Sequence, residues 1–271
     1  MARTVVVTGA GSGIGKATAE ILNKQGIDTI TVDLKGADLT VDLGNADSIA
    51  AMVDEISKTH DHIDGVVANA GTQSNSPLDL TVNYYGAIDS ILALKPLLER
   101  SSSPRVAVTS SGASLQPTDY ELVTLLLDGT KEEALARGQS LASQGFMASY
   151  SNYSASKRAI ATWVRRVAPT DEFAGKGIAI NAVGPGVVKT AMTAELLSTE
   201  EGNRMAFDAM PAPLNGAVEP GAIGAVLAFL VSEANASMTG QIIYIDGGFD
   251  TTVNGRGPDI WHEPRHIDKR M

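Results

Sequence analysis

Thr4-Val5-Val6-Val7-Thr8-Gly9-Ala10-Gly11-Ser12-Gly13-Ile14-Gly15 joins a β-branched run to a glycine-rich turn and then to the start of a helix. The three valines suit a strand buried on both faces. Ile14, Ala17, Ile21 and Leu22 then place an apolar stripe at helical spacing up to Gly26. Between strand and helix, glycines leave backbone N–H groups bare at a helix N-terminus, where the dipole favours an anion and side chains would block its approach. Such a turn is a seat for a pyrophosphate. Its pattern is T-G-x-x-x-G-x-G rather than G-x-G-x-x-G, because the third position counted from Gly9 is Ile14 and from Gly11 is Lys16.

Outward from this turn, strands and helices alternate. Thr29-Ile30-Thr31-Val32 reads as a second strand ending at Asp33, 18 residues beyond Gly15. A carboxylate there accepts both hydrogen bonds of an adenosine ribose diol and repels a 2′-phosphate. With no Arg or Lys inside the glycine loop, NAD is favoured over NADP, although Lys35 follows Asp33 by two residues. A third strand is expected over residues 39–43, where Asp42 either accepts from an adenine amino group or closes a turn. A helix over 46–58 and a strand over 65–68 follow. Asn69-Ala70-Gly71 then supplies small residues, for a turn or for a backbone passing beside a flat ligand. A long helical pattern over 78–98 contains Asn83, and a fifth strand over 105–109 leads to Ser110-Ser111-Gly112.

Further on, Tyr153 and Lys157 lie four residues apart, which sets a phenol and an ammonium on one face of a helix. A free tyrosine titrates near about 10, too high for ready proton exchange at neutral pH. A neighbouring cation favours its phenolate. The pair is therefore a candidate general acid/base, with Lys157 expected to lower the tyrosine pKa.

Composition narrows the class of protein. With 271 residues, 44% of them apolar, the chain suits a single α/β domain with a substantial core. A net charge of −10 disfavours nucleic acid or an anionic membrane as main partner. The absence of cysteine excludes disulfides, thiolate metal sites and a cysteine nucleophile. The histidines His60, His62, His262 and His266 stand in polar surroundings without metal-ligand spacing, so no metal is expected. Met1 to Thr4 run directly into the first strand and no apolar stretch reaches about 18 residues. Cytoplasmic residence is the resulting expectation.

Taken together, T-G-x-x-x-G-x-G at Thr8 to Gly15, Asn69-Ala70-Gly71, Asn83, Ser111 and Tyr153-x-x-x-Lys157 resemble the short-chain dehydrogenase/reductase family, of its classical type. The resemblance spans residues 4 to about 248. It implies a doubly wound Rossmann-type parallel sheet of about seven strands flanked by helices, with NAD at the strands' carboxyl ends. Carried over position by position, it implies a catalytic tetrad of Asn83, Ser111, Tyr153 and Lys157. It also implies coenzyme contacts from Gly9, Ser12, Gly13, Ile14 and Gly15 in the first turn, from Asp33 and Leu34, and from Asp42 and Leu43. Asn69, Ala70 and Gly71, the catalytic Tyr153 and Lys157, and then Pro185, Gly186, Val188 and Thr190 complete that set. The last four belong to a segment resembling the family's P-G-x-x-x-T, whose threonine and backbone hold the nicotinamide carboxamide.

One departure is informative. Ser111 and Tyr153 are 42 residues apart, whereas classical members have only about a dozen residues between them. An insertion over about 115–145, with an apolar stretch at 120–127 and a helix from 131, resembles the bacterial 3α-hydroxysteroid dehydrogenase/carbonyl reductase subgroup. It is expected to border the substrate pocket and to cover the flank of the Tyr–Lys helix that many relatives use for tetramer contacts. Residues 190–218, rich in Ala, Met, Leu and Pro, read either as a lid over an apolar substrate or as a helix packed on the core. A sixth strand is expected at 177–183, a helix at 222–230, and a last strand at 241–245. The domain then ends near residue 250, and the polar extension 251–271 either reaches a neighbouring subunit or is disordered.

The resulting expectation is an NAD-dependent oxidoreductase of a secondary alcohol or ketone, on an apolar ring such as a steroid, terpenoid or aromatic alcohol, acting as a homodimer or homotetramer. The alternatives are a dehydrogenase of a polar cyclic alcohol, carbohydrate or dihydrodiol, and a non-catalytic dinucleotide-sensing protein on the same fold.

Overall fold

Strand β1 (Thr4–Thr8) runs through the middle of the sheet, with Val5, Val6 and Val7 fully buried. Burial contributes about 1.5–3 kcal/mol for each such side chain. β1 pairs in parallel with β2 (Asp28–Asp33) on one side and β4 (Gly65–Ala68) on the other, Val6 standing opposite Ile30 and Val66. Outside them lie β3 (Leu39–Thr40) and, on the other flank, β5 (Arg105–Thr109), β6 (Ala179–Pro185) and β7 (Ile242–Ile245). The order is β3-β2-β1-β4-β5-β6-β7, with every pairing parallel. Winding reverses between β1 and β4, so a crevice opens there at the carboxyl ends of the strands. This computed structural model describes residues 3–253; the rest of the polar extension, with His262 and His266, lies outside the described residues.

Alternation along β1 divides the core in two. Val5 and Val7 pack with Leu22 of α1 (Gly13–Lys24) and with Ile223 and Leu227 of α10 (Pro220–Leu230). Val6 faces the opposite layer, with Met52 of α2 (Ala46–Ser57), Leu94 of α4 (Ala87–Leu98) and Ile160 of α7 (Phe146–Val167). Seven strands with helices on both faces match the expected fold class.

Three boundaries differ from the sequence reading. The third strand stops at Thr40 because Asp42 turns the chain, its Oδ1 accepting from Gly44 N at 2.8 Å and its own N–H donating to Ser48 Oγ. β6 starts two residues later than expected, after Gly177 at φ +71, and continues through Gly184 and Pro185, which pair with Tyr244 and Ile245. The helix expected over 78–98 forms as α3 (Pro77–Leu80), a π-helical turn over Thr81–Gly86, and then α4. Such wide turns recur at functional sites, and Asn83 sits in this one.

The insertion folds as α5 (Tyr120–Asp128) and α6 (Lys131–Ala142), both packed along α7. Asp119 caps α5 through Leu122 N and pairs with Arg137 of α6, while Asp128 pairs with Arg166 of α7. Contact is close at Gly138, whose carbonyl accepts from Asn152 Nδ2 and where a Cβ would stand 2.4 Å from Asn152 Oδ1. Beyond β6 come α8 (Ala194–Leu197) and α9 (Glu200–Ala209), and α11 (Phe249–Val253) follows β7.

Candidate active site

The glycine turn and the end of β4 are in backbone contact. Gly9 has φ +68, a region unfavourable to residues with a Cβ, and a Cβ on it would meet Ala70 Cα at 2.7 Å. A Cβ on Gly15 would lie 2.1 Å from the Gly9 carbonyl oxygen. Thr8 Oγ1 accepts from Asn69 N and Ala70 N at 3.0 and 3.1 Å, and Asn69 Nδ2 donates to Thr8 O at 3.3 Å. These contacts hold the turn open beside the crevice.

α1 begins after Ser12 without a side-chain cap and with no acidic residue in its first turn. By contrast, Asn45, Asp119 and Thr130 cap α2, α5 and α6. Because Ser12, Gly13 and Ile14 line the cavity, the uncapped N-terminus offers its dipole and N–H groups to an anion there. The cavity itself is about 960 Å³, at the upper end of small-molecule sites. Asp33 stands at its edge, Oδ2 accepting from Gly11 N at 2.9 Å and Oδ1 from Leu34 N at 2.6 Å. These features fit a dinucleotide.

The cavity is also lined by Leu34, Asp42, Leu43, Asn69, Ala70 and Gly71, by Ser111, Tyr153 and Lys157, and by Pro185, Gly186, Val188 and Thr190. Of the expected site residues, Gly15 and Asn83 do not line it. Gly15 packs the turn from behind. Asn83 Oδ1 accepts from Thr72 N at 2.8 Å, and its Nδ2 donates to Thr72 O at 2.9 Å and Ser156 Oγ at 3.2 Å. Asn83 thus reaches the cavity through Thr72, which does line it. Gly71 fits between the polar groups, as a Cβ there would be 3.0 Å from Asn83 Oδ1 and 3.3 Å from Lys157 Nζ.

Lys157 is 5% exposed, and its Nζ donates to Thr109 O at 3.0 Å and lies 5.9 Å from the Tyr153 ring centroid. Burial lowers its pKa to about 8, opposed by the charge of Asp79. Ser110 Oγ donates to Lys157 O at 2.7 Å, whereas Ser111 Oγ accepts from Ala113 N at 3.1 Å, and its hydroxyl pulls the Tyr153 phenol pKa down. The expectation that Lys157 lowers the tyrosine pKa is corrected by this geometry. Burial raises the phenol, the Ser111 hydroxyl pulls it down by less, and Asp79 adds to the rise. Desolvation penalises phenolate and ammonium alike.

Several site residues escaped the sequence reading. Asp79 is fully buried and accepts from Ser74 N, Ser74 Oγ and Asn75 N at 2.7–3.0 Å, holding the loop after Gly71; burial raises its pKa. The one available signal was a carboxylate between Leu78 and Leu80 in an apolar pattern. Gln116, Phe146, Met147 and Tyr150 also line the cavity. The insertion thus borders the cavity at its start, through Leu115, Gln116 and Pro117, with Phe146 and Met147 of α7 lining it just past the insertion's end, while α5 and α6 brace α7. Of residues 190–218, Met192, Leu196, Met205 and Met210 line the cavity.

Comparison with known proteins identifies the family. Residues 3–122 match the model described as short chain dehydrogenase, and 131–250 the one described as Enoyl-(Acyl carrier protein) reductase. The chain is 30% identical over 256 residues to the 3-alpha-hydroxysteroid dehydrogenase/carbonyl reductase of Comamonas testosteroni, covering 92% of this chain and 97% of that protein. It is 30% identical over 266 residues to the cis-4-hydroxycyclohexanecarboxylate dehydrogenase of Sinomonas cyclohexanicum, covering 91% and 96%. The crystal structure of the 3-alpha-hydroxysteroid dehydrogenase from Pseudomonas sp. B-0831 complexed with NADH superimposes with a TM-score of 0.83 at 29% identity, over 93% of this chain and 99% of that one.

Proposed function

Because the chain belongs to the short-chain dehydrogenase/reductase family, we propose that it interconverts a secondary alcohol and a ketone, with NAD as hydride carrier and an apolar cyclic compound as substrate. The reading rests on one observation: Tyr153, Ser111 and Lys157 share a single cavity with the uncapped N-terminus of α1. A bound nicotinamide would supply the chemistry of taking up or giving hydride. The pyrophosphate would sit against Ser12, Gly13 and Ile14, and the adenosine ribose against Asp33, where a 2′-phosphate would be repelled. As the family resemblance implies, Thr190 and the backbone at Pro185, Gly186 and Val188 would hold the carboxamide, and Lys157 the nicotinamide ribose.

In oxidation Tyr153, as phenolate, takes the proton of the substrate hydroxyl; in reduction its phenol returns it to the forming alkoxide. Ser111 donates a hydrogen bond to the substrate oxygen and stabilises its developing charge. Asn83 locks the Thr72 backbone, placing it to carry the proton path outward by an ordered water. Apolar side chains at the rim, Met192, Leu196, Met205, Phe146 and Met147, suit an aliphatic or aromatic ring. The named relatives that act on hydroxysteroids and hydroxycyclohexanes support that class.

We place the protein in the cytoplasm; among the described residues no helix is long and apolar enough to cross a membrane. With α5 and α6 seated on α7, association is expected to avoid that helix and to give a dimer. A tetramer joined through α7, detected by light scattering and cross-linking, would contradict this. The function itself is tested by following NAD and NADP reduction across cyclic, aromatic and polyhydroxylated secondary alcohols. Turnover with NAD and cyclic alcohols is expected. Preference for NADP or for sugars would overturn the corresponding half of the reading.

A pH prediction follows from Asp79. Its negative charge raises the pKa of both Tyr153 and Lys157, so Asp79→Asn lowers both. Alcohol oxidation requires the phenolate and is lost as pH falls through the tyrosine pKa. The acidic limb of its kcat profile should therefore move to lower pH in Asp79→Asn. A variant that loses kcat with the limb unmoved would reduce Asp79 to a loop anchor.

A further inference from the structure

Phe146, Tyr150 and Tyr153 follow one another at spacings of four and three, so their rings line one face of α7. The Phe146 and Tyr150 centroids are 6.3 Å apart with planes inclined by 24°, and Tyr150 and Tyr153 are 5.9 Å apart at 48°. All three line the cavity, and the last is the proposed acid/base. Phe146 is 69% exposed and the adjacent Met147 76%, a large apolar surface left in water at the start of a helix. An unburied aromatic in that place loses the usual gain of burial unless a ligand covers it.

Tyr150 is tied in position. Burial pushes its phenol pKa up, so it stays neutral and donates to Gln116 Oε1 at 2.7 Å. Gln116 Nε2 in turn donates to Ala209 O at 3.0 Å, the last residue of lid helix α9. One glutamine thereby links the aromatic row, the start of the insertion and the lid. The lid brings Met192, Met205 and Met210, whose flexible thioether chains adapt to varied substituents.

We propose that Phe146, Tyr150 and Tyr153 form an aromatic wall that receives the flat face of a ring or fused-ring substrate, with Gln116 fixing Tyr150, and that Phe146 and Tyr150 determine specificity for rings over open chains. This rests on the dehydrogenase reading above and deepens it. Aromatic faces reward a rigid ring that presents its whole surface at once, whereas a flexible chain must be ordered to do the same.

The test compares 2-decalone with 2-decanone, of equal carbon number, as substrates of the NADH-loaded enzyme. Tyr150→Leu keeps apolar volume and removes the aromatic face. It should raise KM for 2-decalone about two- to tenfold relative to 2-decanone. Phe146→Leu should act in the same direction. Tyr150→Phe keeps the ring and removes only the bond to Gln116, and should retain the ring preference. Equal changes in both KM values, or a Tyr150→Phe variant as impaired in ring preference as Tyr150→Leu, would overturn the wall. Wild-type turnover of 2-decanone alone would also overturn it while leaving the dehydrogenase reading intact. If neither ketone is turned over, the dehydrogenase reading stands or falls by the alcohol panel above, and calorimetric binding of 2-decalone to the NADH complex still decides the wall: weakening in Tyr150→Leu but not in Tyr150→Phe supports it, and equal affinities overturn it.

Discussion

Tyr153→Phe is expected to lower kcat about a hundred- to ten-thousand-fold in both directions while leaving NADH affinity nearly unchanged. The substitution removes one hydroxyl and keeps the ring against Tyr150, so the wall and α7 keep their packing. What is lost is the phenol whose pKa Ser111 lowers, the group proposed to exchange a proton with the substrate oxygen. Burial raises the pKa of that phenol, so it is protonated at neutral pH and set for ketone reduction. Oxidation should accordingly gain with rising pH. Stopped-flow hydride transfer with fluorescence titration of NADH separates the two quantities, and retained turnover would remove Tyr153 from its role.

Gly15→Ala should disturb the coenzyme seat more than any other single methyl in the glycine turn. The new Cβ would lie 2.1 Å from the Gly9 carbonyl oxygen and 2.7 Å from Asn69 Nδ2, with backbone rather than a flexible side chain as the main obstacle. Relief requires the turn to move, at a cost of about 1–3 kcal/mol. Each kcal/mol lowers Tm by about 2–4 °C for a domain of this size. Because the same movement shifts the N–H groups offered to the pyrophosphate, NADH affinity should fall about tenfold or more, since each 1.4 kcal/mol is tenfold. Gly221→Ala in α10 is the control: a Cβ there meets nothing within 4 Å, and the change should stabilise the helix by about 0.5–1 kcal/mol. Unaltered coenzyme binding in Gly15→Ala would show that the turn yields without consequence.

Residues within one element were legible from local pattern alone. The valines of β1, the glycines after them and the Tyr153–Lys157 spacing each express a short-range rule of burial, backbone freedom or helical pitch. Asp33 was legible for the same reason, as a strand terminus at a set distance from the turn. Asn83 was found only through the family resemblance, and its setting was not foreseen: its partner Thr72 lies eleven residues away across a loop, and the π-helical turn that aims it has no marked composition. Gln116 went unread because its partners Tyr150 and Ala209 are brought to it by folding, and Asp79 because its burial and its charge on Tyr153 and Lys157 come from folding, although Ser74 and Asn75, which it accepts from, are local.

The chain's sequence by itself determined the alternation of strands and helices, the glycine turn at the head of α1 and the one-turn spacing of Tyr153 and Lys157, because each depends on neighbours a few residues apart. Only the tertiary structure decided how those groups behave. It buried Lys157 until its pKa falls to about 8, raised the phenol it was expected to lower, and set a buried carboxylate within electrostatic reach of both. It also joined Tyr150 to the end of α9 through Gln116 and turned α5 and α6 toward α7 rather than into the cavity. Desolvation and through-space charge depend on what surrounds a group in three dimensions, and residues remote in sequence supply those surroundings.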